Sequence, residues 1–142
     1  TLCRSIAKDG EGATKLLECR VSGARSLTDA RTVAKSIICS SLVKAAMFGA
    51  DANWGRVLCA IGYSGADTDP HGVDVSFSSE AGTVHVCEKG AGVEFSEETA
   101  KAVLSADEIR IDVTLHDGSA EATAWGCDLT YDYVRINGDY RT

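Results

Sequence analysis

The residues best suited to chemistry lie in one short loop near the start of the chain, residues 9–15, which we call the acid loop. In it, Glu11 stands between Gly10 and Gly12. Two glycines beside a carboxylate allow a tight turn and the close approach of a ligand, which a loop that only connects two elements rarely requires. A carboxylate held in this way can accept charge-assisted hydrogen bonds from an ammonium group. The alternative is a surface glutamate that forms only a cap or an ion pair.

A second polar segment, residues 137–142, lies at the opposite end of the chain. The amide of Asn137 has donor and acceptor atoms and can donate to an amino-acid carboxylate, or it can simply fix the end of a helix beside Gly138. If the two ends of the chain meet in one pocket, the residues between them form its scaffold.

Other candidate chemistry is weaker. Ser64 lies between Gly62 and Gly65, as in a nucleophile elbow, but the second glycine comes one position early and the serine follows a predicted helix. A serine that only ends a helix explains this pattern better. The histidines and cysteines lack metal-ligand spacing, and no glycine-rich loop matches a phosphate-binding or dinucleotide-binding pattern. We therefore expect no metal and no cofactor.

Composition limits the class of protein. With 142 residues, of which 44% are hydrophobic, the chain is long enough for one domain, 1–142, with its own core. The net charge is −7 and the basic residues are scattered, so a nucleic-acid surface is not expected. No apolar run approaches the ~20 residues of a membrane span, and residues 1–4 do not resemble a signal peptide. Six cysteines, most in apolar surroundings, are predicted to be buried and reduced.

Periodicity and turn signals predict alternating strands and helices. The predicted elements are a strand over 15–24, a helix of about three turns from Ser26, an apolar stretch over 42–48, a helix over 53–62, an internal loop near 65–72, a hairpin over 73–86, a helix over 96–105, a second hairpin over 109–124 that turns at Asp117-Gly118, and a last helix from Thr130 that ends on Gly138 as a left-handed cap. Because most strand pairs are predicted hairpins, we expect an α/β layered domain whose packed helices cover a mixed, largely antiparallel sheet.

Three segments together resemble one known family. They are the acid loop, the mid-chain residues 51–56 (Asp-Ala-Asn-Trp-Gly-Arg) and the terminal residues 127–130 with 136–142. In this combination and order, they resemble the ornithine acetyltransferase family, also called glutamate N-acetyltransferase. The resemblance extends over essentially the whole chain.

The resemblance implies an acyltransferase of arginine biosynthesis with the family's self-processing fold, which moves an acetyl group from N-acetylornithine to glutamate. Family members cleave themselves into an alpha and a beta chain, and the new N-terminal threonine of the beta chain carries the acetyl group. Thr1 is not expected to be that residue, because residues 2–4 do not resemble the cleavage site and the acid loop follows too soon. The chain is therefore expected to be the C-terminal part of the beta chain, with the nucleophile elsewhere.

The family's substrate-binding residues fall on Glu11, Asn137 and Thr142, and no catalytic residue is carried over. The implied partners are N-acetylornithine, glutamate and the upstream alpha chain, with the use of acetyl-CoA left open. The implied location is the bacterial cytoplasm, or the mitochondrial matrix for fungal members. A non-catalytic amino-acid-binding or assembly domain on the same scaffold remains the alternative.

Overall fold

The structure, a computed structural model, describes residues 1–140. Its elements in chain order are α1 (Leu2–Lys8), β1 (Leu16–Ala24), α2 (Leu27–Cys39), α3 (Ser41–Phe48), α4 (Trp54–Gly62), β2 (Asp74–Ser79), β3 (Gly82–Glu88), β4 (Ala91–Gly92), α5 (Glu97–Leu104), β5 (Glu108–Thr114), β6 (Ala120–Cys127) and α6 (Tyr131–Asp139). A turn of 3₁₀ helix, Pro70–Gly72, lies in the connection between α4 and β2. Helix α1 and strand β4 are additions to the predicted set.

All six strands belong to one sheet with the order β4-β3-β2-β5-β1-β6. Strands β1 and β5 are parallel, and every other neighbouring pair is antiparallel. The predicted α/β architecture, with a mixed and largely antiparallel sheet, is confirmed.

The core lies on one face of this sheet because the strands alternate apolar and polar residues. In β1, Leu17, Cys19 and Val21 are buried, whereas the residues between them face the other side. Helix α2 packs on β1 and β6, and α5 packs on β2 and β3. Ser26 caps α2 by accepting the backbone N–H of Asp29, as its position in the sequence predicts. Within residues 1–140, no helix is long and apolar enough to cross a bilayer.

The predicted second hairpin is wrong. Strands β5 and β6 are formed as expected, but β1 lies between them and pairs with both. The connection from β5 to β6 passes over the end of β1, where the N–H groups of Leu115 and Asp117 donate to Ser22 O and Gly23 O at 2.9 and 2.7 Å. Asp117 and the glycine after it therefore belong to a crossing segment instead of a two-residue turn.

The predicted end of the last helix is also wrong. Helix α6 continues through Gly138 to Asp139, and Tyr140 follows with extended backbone angles. Gly138 is not among the glycines with positive φ. It therefore serves as a helical residue and not as a left-handed cap.

The prediction that the cysteines are buried holds for only part of the set. All six are free thiols: Cys19 and Cys87 are buried, Cys127 is half-buried, and Cys3, Cys39 and Cys59 are exposed. Apolar neighbours misled the prediction in the helices, where each residue turns by about 100° from the one before it. Cys39 directly follows the buried Ile38 and therefore points away from the core.

Candidate functional site

The acid loop connects α1 to β1 through a tight turn. The N–H of Ala13 donates to the carbonyl oxygen of Gly10 at 3.0 Å, which places Glu11 at the tip. Glu11 is exposed, and none of the ion pairs within residues 1–140 involves it. Its carboxylate is therefore exposed to solvent at the tip of the loop.

The two glycines of the acid loop are required by contacts within the protein. Gly12 has a φ of +69°, and a Cβ there would lie 2.7 Å from the backbone nitrogen of Tyr133. A Cβ on Gly10 would lie 2.6 Å from the Sγ of Cys127. The loop thus lies directly against residues 127–133, where β6 ends and α6 begins. The close approach that the glycines allow is to this junction.

Asp128 fixes the second half of the acid loop. Its side chain is buried, with 3% exposure. Oδ1 accepts the backbone N–H groups of Thr14 and Lys15, both at 2.9 Å, and Oδ2 accepts the Thr14 hydroxyl. Because burial of a carboxylate is costly unless it is hydrogen-bonded, these three donors are what allow Asp128 to lie there.

Thr130 connects the acid loop to α6. Its buried hydroxyl donates to Gly12 O at 2.6 Å and accepts the N–H of Tyr133 at 3.1 Å. The second bond is the N-cap of α6, and the sequence predicts the start of a helix at this residue. One hydroxyl therefore joins the loop to the first turn of the helix.

Lys15 anchors the exit of the acid loop. Its ammonium group donates to Met47 O at 2.7 Å, near the end of α3, and to Leu104 O at 2.8 Å, at the end of α5. A cation suits these positions because the last carbonyls of a helix lack intrahelical partners. Burial lowers the pKa of Lys15, and the nearby carboxylate of Asp128 opposes this shift.

Asn137 lies one turn beyond the contact between the acid loop and α6. Its Nδ2 donates to Tyr133 O at 2.8 Å, and the residue is exposed. The axial rise between these two residues is about 6 Å. The structure therefore brings Glu11 and Asn137 onto adjoining segments. The hydrogen bond to Tyr133 O is also the contact expected if Asn137 only stabilises the end of the helix. Thr142 lies outside the described residues.

Two cavities, of about 550 and 620 Å³, lie on the polar face of the sheet. Their shared lining residues are Arg4, Glu18 and Arg20, and neither cavity is lined by Glu11 or Asn137. Glu11 and Asn137 are exposed residues that lie outside both of these cavities.

Ser64, Asn53 and Trp54, which the sequence also singles out, make contacts that stabilise the fold. The hydroxyl of Ser64 donates to Ile61 O at 2.7 Å and accepts the N–H of Ala66, as expected for a serine that ends a helix. Asn53, in the middle segment of the resemblance, caps α4 by accepting the N–H of Arg56 at 3.2 Å. The ring of Trp54 packs against β4.

Sequence reasoning missed Asp128 as the residue that holds the loop. It lies 113 positions from Lys15 in the chain, and a single aspartate between a strand and a helix has no periodic signal. The available signal was its place two residues before Thr130, the predicted start of the last helix, in a segment that belongs to the resemblance.

Comparisons with known proteins agree on one family. The ArgJ family matches residues 1–142. Over 141 residues, which are 99% of this chain, it is 59% identical to arginine biosynthesis bifunctional protein ArgJ 1 of Clostridium acetobutylicum. It is 58% identical over its whole length to arginine biosynthesis bifunctional protein ArgJ of Caldanaerobacter subterraneus subsp. tengcongensis.

A solved structure is also similar. The crystal structure of arginine biosynthesis bifunctional protein argJ from Bacillus halodurans matches with a TM-score of 0.89 at 49% identity, over 98% of this chain and 64% of that one. Both curated relatives are longer, since this chain spans 35% of each.

Proposed function

This chain belongs to the ArgJ family, and we propose that it is the substrate-binding part of an acyltransferase of arginine biosynthesis. The family match confirms the resemblance found in the sequence. In this proposal, residues 1–142 form one domain, the C-terminal part of the beta chain, and act together with the upstream alpha chain in the cytoplasm. The reaction moves an acetyl group from N-acetylornithine to glutamate.

The reaction uses a threonine outside this chain. Its hydroxyl oxygen forms an ester with the acetyl group while the amide bond of N-acetylornithine breaks and ornithine leaves with a proton on its amine. The α-amine of glutamate then attacks the ester, which restores the threonine hydroxyl. The description of the relatives as bifunctional suggests a second activity, for which acetyl transfer from acetyl-CoA to glutamate is our candidate.

The observation that carries the proposal is the attachment of the acid loop to the start of α6. Thr130 bonds to both segments, so that Glu11 and Asn137 are held on one structural unit. A carboxylate suits the ammonium group of an amino-acid substrate, and an amide suits its carboxylate. We propose that Thr142, the last residue of the chain, supplies a third polar contact.

The proposal predicts that Glu11→Gln in the family-length enzyme raises the KM for N-acetylornithine by about tenfold, because a neutral amide replaces the charged acceptor. Steady-state kinetics with both substrates measure this. Glu94→Gln is a matched control, since Glu94 is also exposed and lies before α5. An unchanged kcat/KM for both substrates would refute the role of Glu11.

The alternative is a non-catalytic amino-acid-binding or assembly domain on the same scaffold, and it can be tested separately. Isothermal titration of residues 1–142 with ornithine and with glutamate would detect binding in the absence of any upstream chain. Binding by this chain alone, together with no acetyl transfer by the family-length protein, would favour that alternative.

A further inference from the structure

We propose that Asp128 is a positioning residue for substrate, which holds the acid loop on the start of α6 so that Glu11 and Asn137 contact the same substrate molecule. This inference rests on the proposed function, because it assigns a role to Asp128 only through those two contacts. Asp128 is one step removed from the substrate, since its own carboxylate is buried beneath the loop.

The hydrogen bonds of Asp128 are directed at one short segment. All three of its side-chain bonds come from Thr14 and Lys15, which follow Glu11 by three and four positions. Lys15, the nearby cation, uses its ammonium group on the ends of α3 and α5. Asp128 therefore acts on the loop by accepting hydrogen bonds from it and not by pairing with a cation.

Thr130 attaches the loop within its turn, and Asp128 attaches the residues that follow the turn. Thr130 holds the carbonyl of Gly12, and Asp128 holds the amides that follow Ala13. Both belong to the junction 127–133, where β6 ends and α6 begins. The position of Glu11 is thereby fixed relative to the helix that carries Asn137.

This arrangement affects substrate affinity first. A substrate that contacts two separate groups binds tightly only if their spacing is already correct, because otherwise binding must order the loop. The acetylated threonine lies elsewhere in the enzyme, so that movement of the loop weakens binding more than it slows the chemical step. We therefore expect changes at Asp128 to raise KM more than they lower kcat.

The test compares Asp128→Ala with Asp128→Asn in the family-length enzyme. An asparagine can keep its oxygen on the two backbone amides and turn its NH₂ toward the Thr14 hydroxyl, which can accept a hydrogen bond. We expect Asp128→Ala to raise the KM for N-acetylornithine by roughly tenfold with a much smaller change in kcat, and Asp128→Asn to restore most of the loss.

A control separates this effect from general destabilisation. Ser36→Ala removes a hydroxyl that donates to Ala60 O at 2.7 Å and so joins α2 to α4. This variant is expected to lower the melting temperature and to leave KM unchanged. If Asp128→Ala does not fold, the pair Thr14→Val and Thr14→Ser decides, because only serine keeps the hydroxyl that bonds to Asp128. Thr14→Val should then raise KM, and Thr14→Ser should not.

Two results would overturn the inference. The first is an unchanged KM in folded Asp128→Ala or Thr14→Val. The second is an Asp128→Asn enzyme as impaired as Asp128→Ala, which would assign the effect to charge instead of loop geometry. If Glu11→Gln raises KM while the Asp128 and Thr14 variants do not, this inference fails alone. If Glu11→Gln has no effect, the proposed function fails with it.

Discussion

At the scale of single residues, Gly12 is the position where the acid loop tolerates least change. Its φ of +69° is costly for any residue with a Cβ, and that atom would meet the backbone of Tyr133. Gly12→Ala is therefore expected to lower the free energy of unfolding by about 1–3 kcal/mol. Urea denaturation followed by circular dichroism measures this.

Gly62→Ala is the matched control for that change. Gly62 ends α4, and a Cβ there would have no neighbour within 4 Å. Alanine is the better helix former, so the free energy of unfolding should stay the same or rise by up to about 1 kcal/mol. Equal losses in the two variants would contradict the claim that the loop contact makes Gly12 special.

The residues of the site divide into those that local patterns reveal and those that they do not. The glycines around Glu11 and the start of the last helix at Thr130 are local signals, although the glycines face residues 127–133 of the protein itself. Asp128 is different, because its partners are more than 100 positions away in sequence. Only the folded sheet brings that carboxylate under the acid loop, so that periodicity and spacing alone do not single it out.

At the scale of elements, α1 has no buried residue, and ion pairs link it to the sheet. Arg4 and Lys8 both bond to Glu108 at the start of β5. The hydrogen bond from Lys8, together with the charge of Arg4, lowers the pKa of Glu108. These contacts attach α1 to the first residue of β5.

Glu108→Gln is therefore expected to speed hydrogen exchange at the backbone amides of α1 while global stability changes by less than about 1 kcal/mol, because exposed ion pairs contribute little. Exchange measured by mass spectrometry tests this. Asp132→Asn is the control, since its partner Arg135 lies within α6. Unchanged exchange in α1 of the Glu108 variant would show that other contacts hold the helix.

Element type was more predictable than element pairing. Alternation in β5 and β6 is a local property, and both strands form. Which strands pair depends on the whole sheet, in which β1 lies between β5 and β6 and is parallel to β5. No local pattern in β5 indicates that it pairs in parallel with a strand some 90 positions earlier in the chain. An Asp-Gly pair between two strands, by contrast, strongly indicates a hairpin. The tight-turn signal was therefore misleading.

At the scale of the whole molecule, stability comes mainly from the helix-covered face of the sheet. The opposite face carries the ion pairs Glu18–Arg20 and Arg110–Asp112, which contribute little where they are exposed. Asp74, at the edge of this polar surface, differs from these exposed ion pairs because it also accepts a backbone hydrogen bond. Oδ2 of Asp74 lies 2.7 Å from Nε2 of His116, and Oδ1 accepts the N–H of Lys89 at 2.9 Å.

Asp74 should therefore make the fold sensitive to acid. Burial alone would raise its pKa, but the hydrogen bonds from His116 and Lys89 outweigh it and lower the pKa of Asp74 below its ordinary value. A folded-state pKa below the unfolded one stabilises the fold at neutral pH, and this stabilisation is lost as the pH falls through the folded pKa.

Asp74→Asn is accordingly expected to lower the free energy of unfolding by about 1 kcal/mol at pH ~7 and to weaken its decline toward pH ~3, because the variant has no carboxylate to protonate there. Urea unfolding at a series of pH values measures both effects. Asp139→Asn removes an exposed carboxylate from α6 and should leave the curve close to that of the unaltered protein. If the curve of Asp74→Asn is merely displaced, with the same dependence on pH, the acid sensitivity does not arise from Asp74. If the free energies of unfolding of the two proteins instead converge at low pH, the hydrogen-bonded carboxylate of Asp74 is the source of the acid sensitivity.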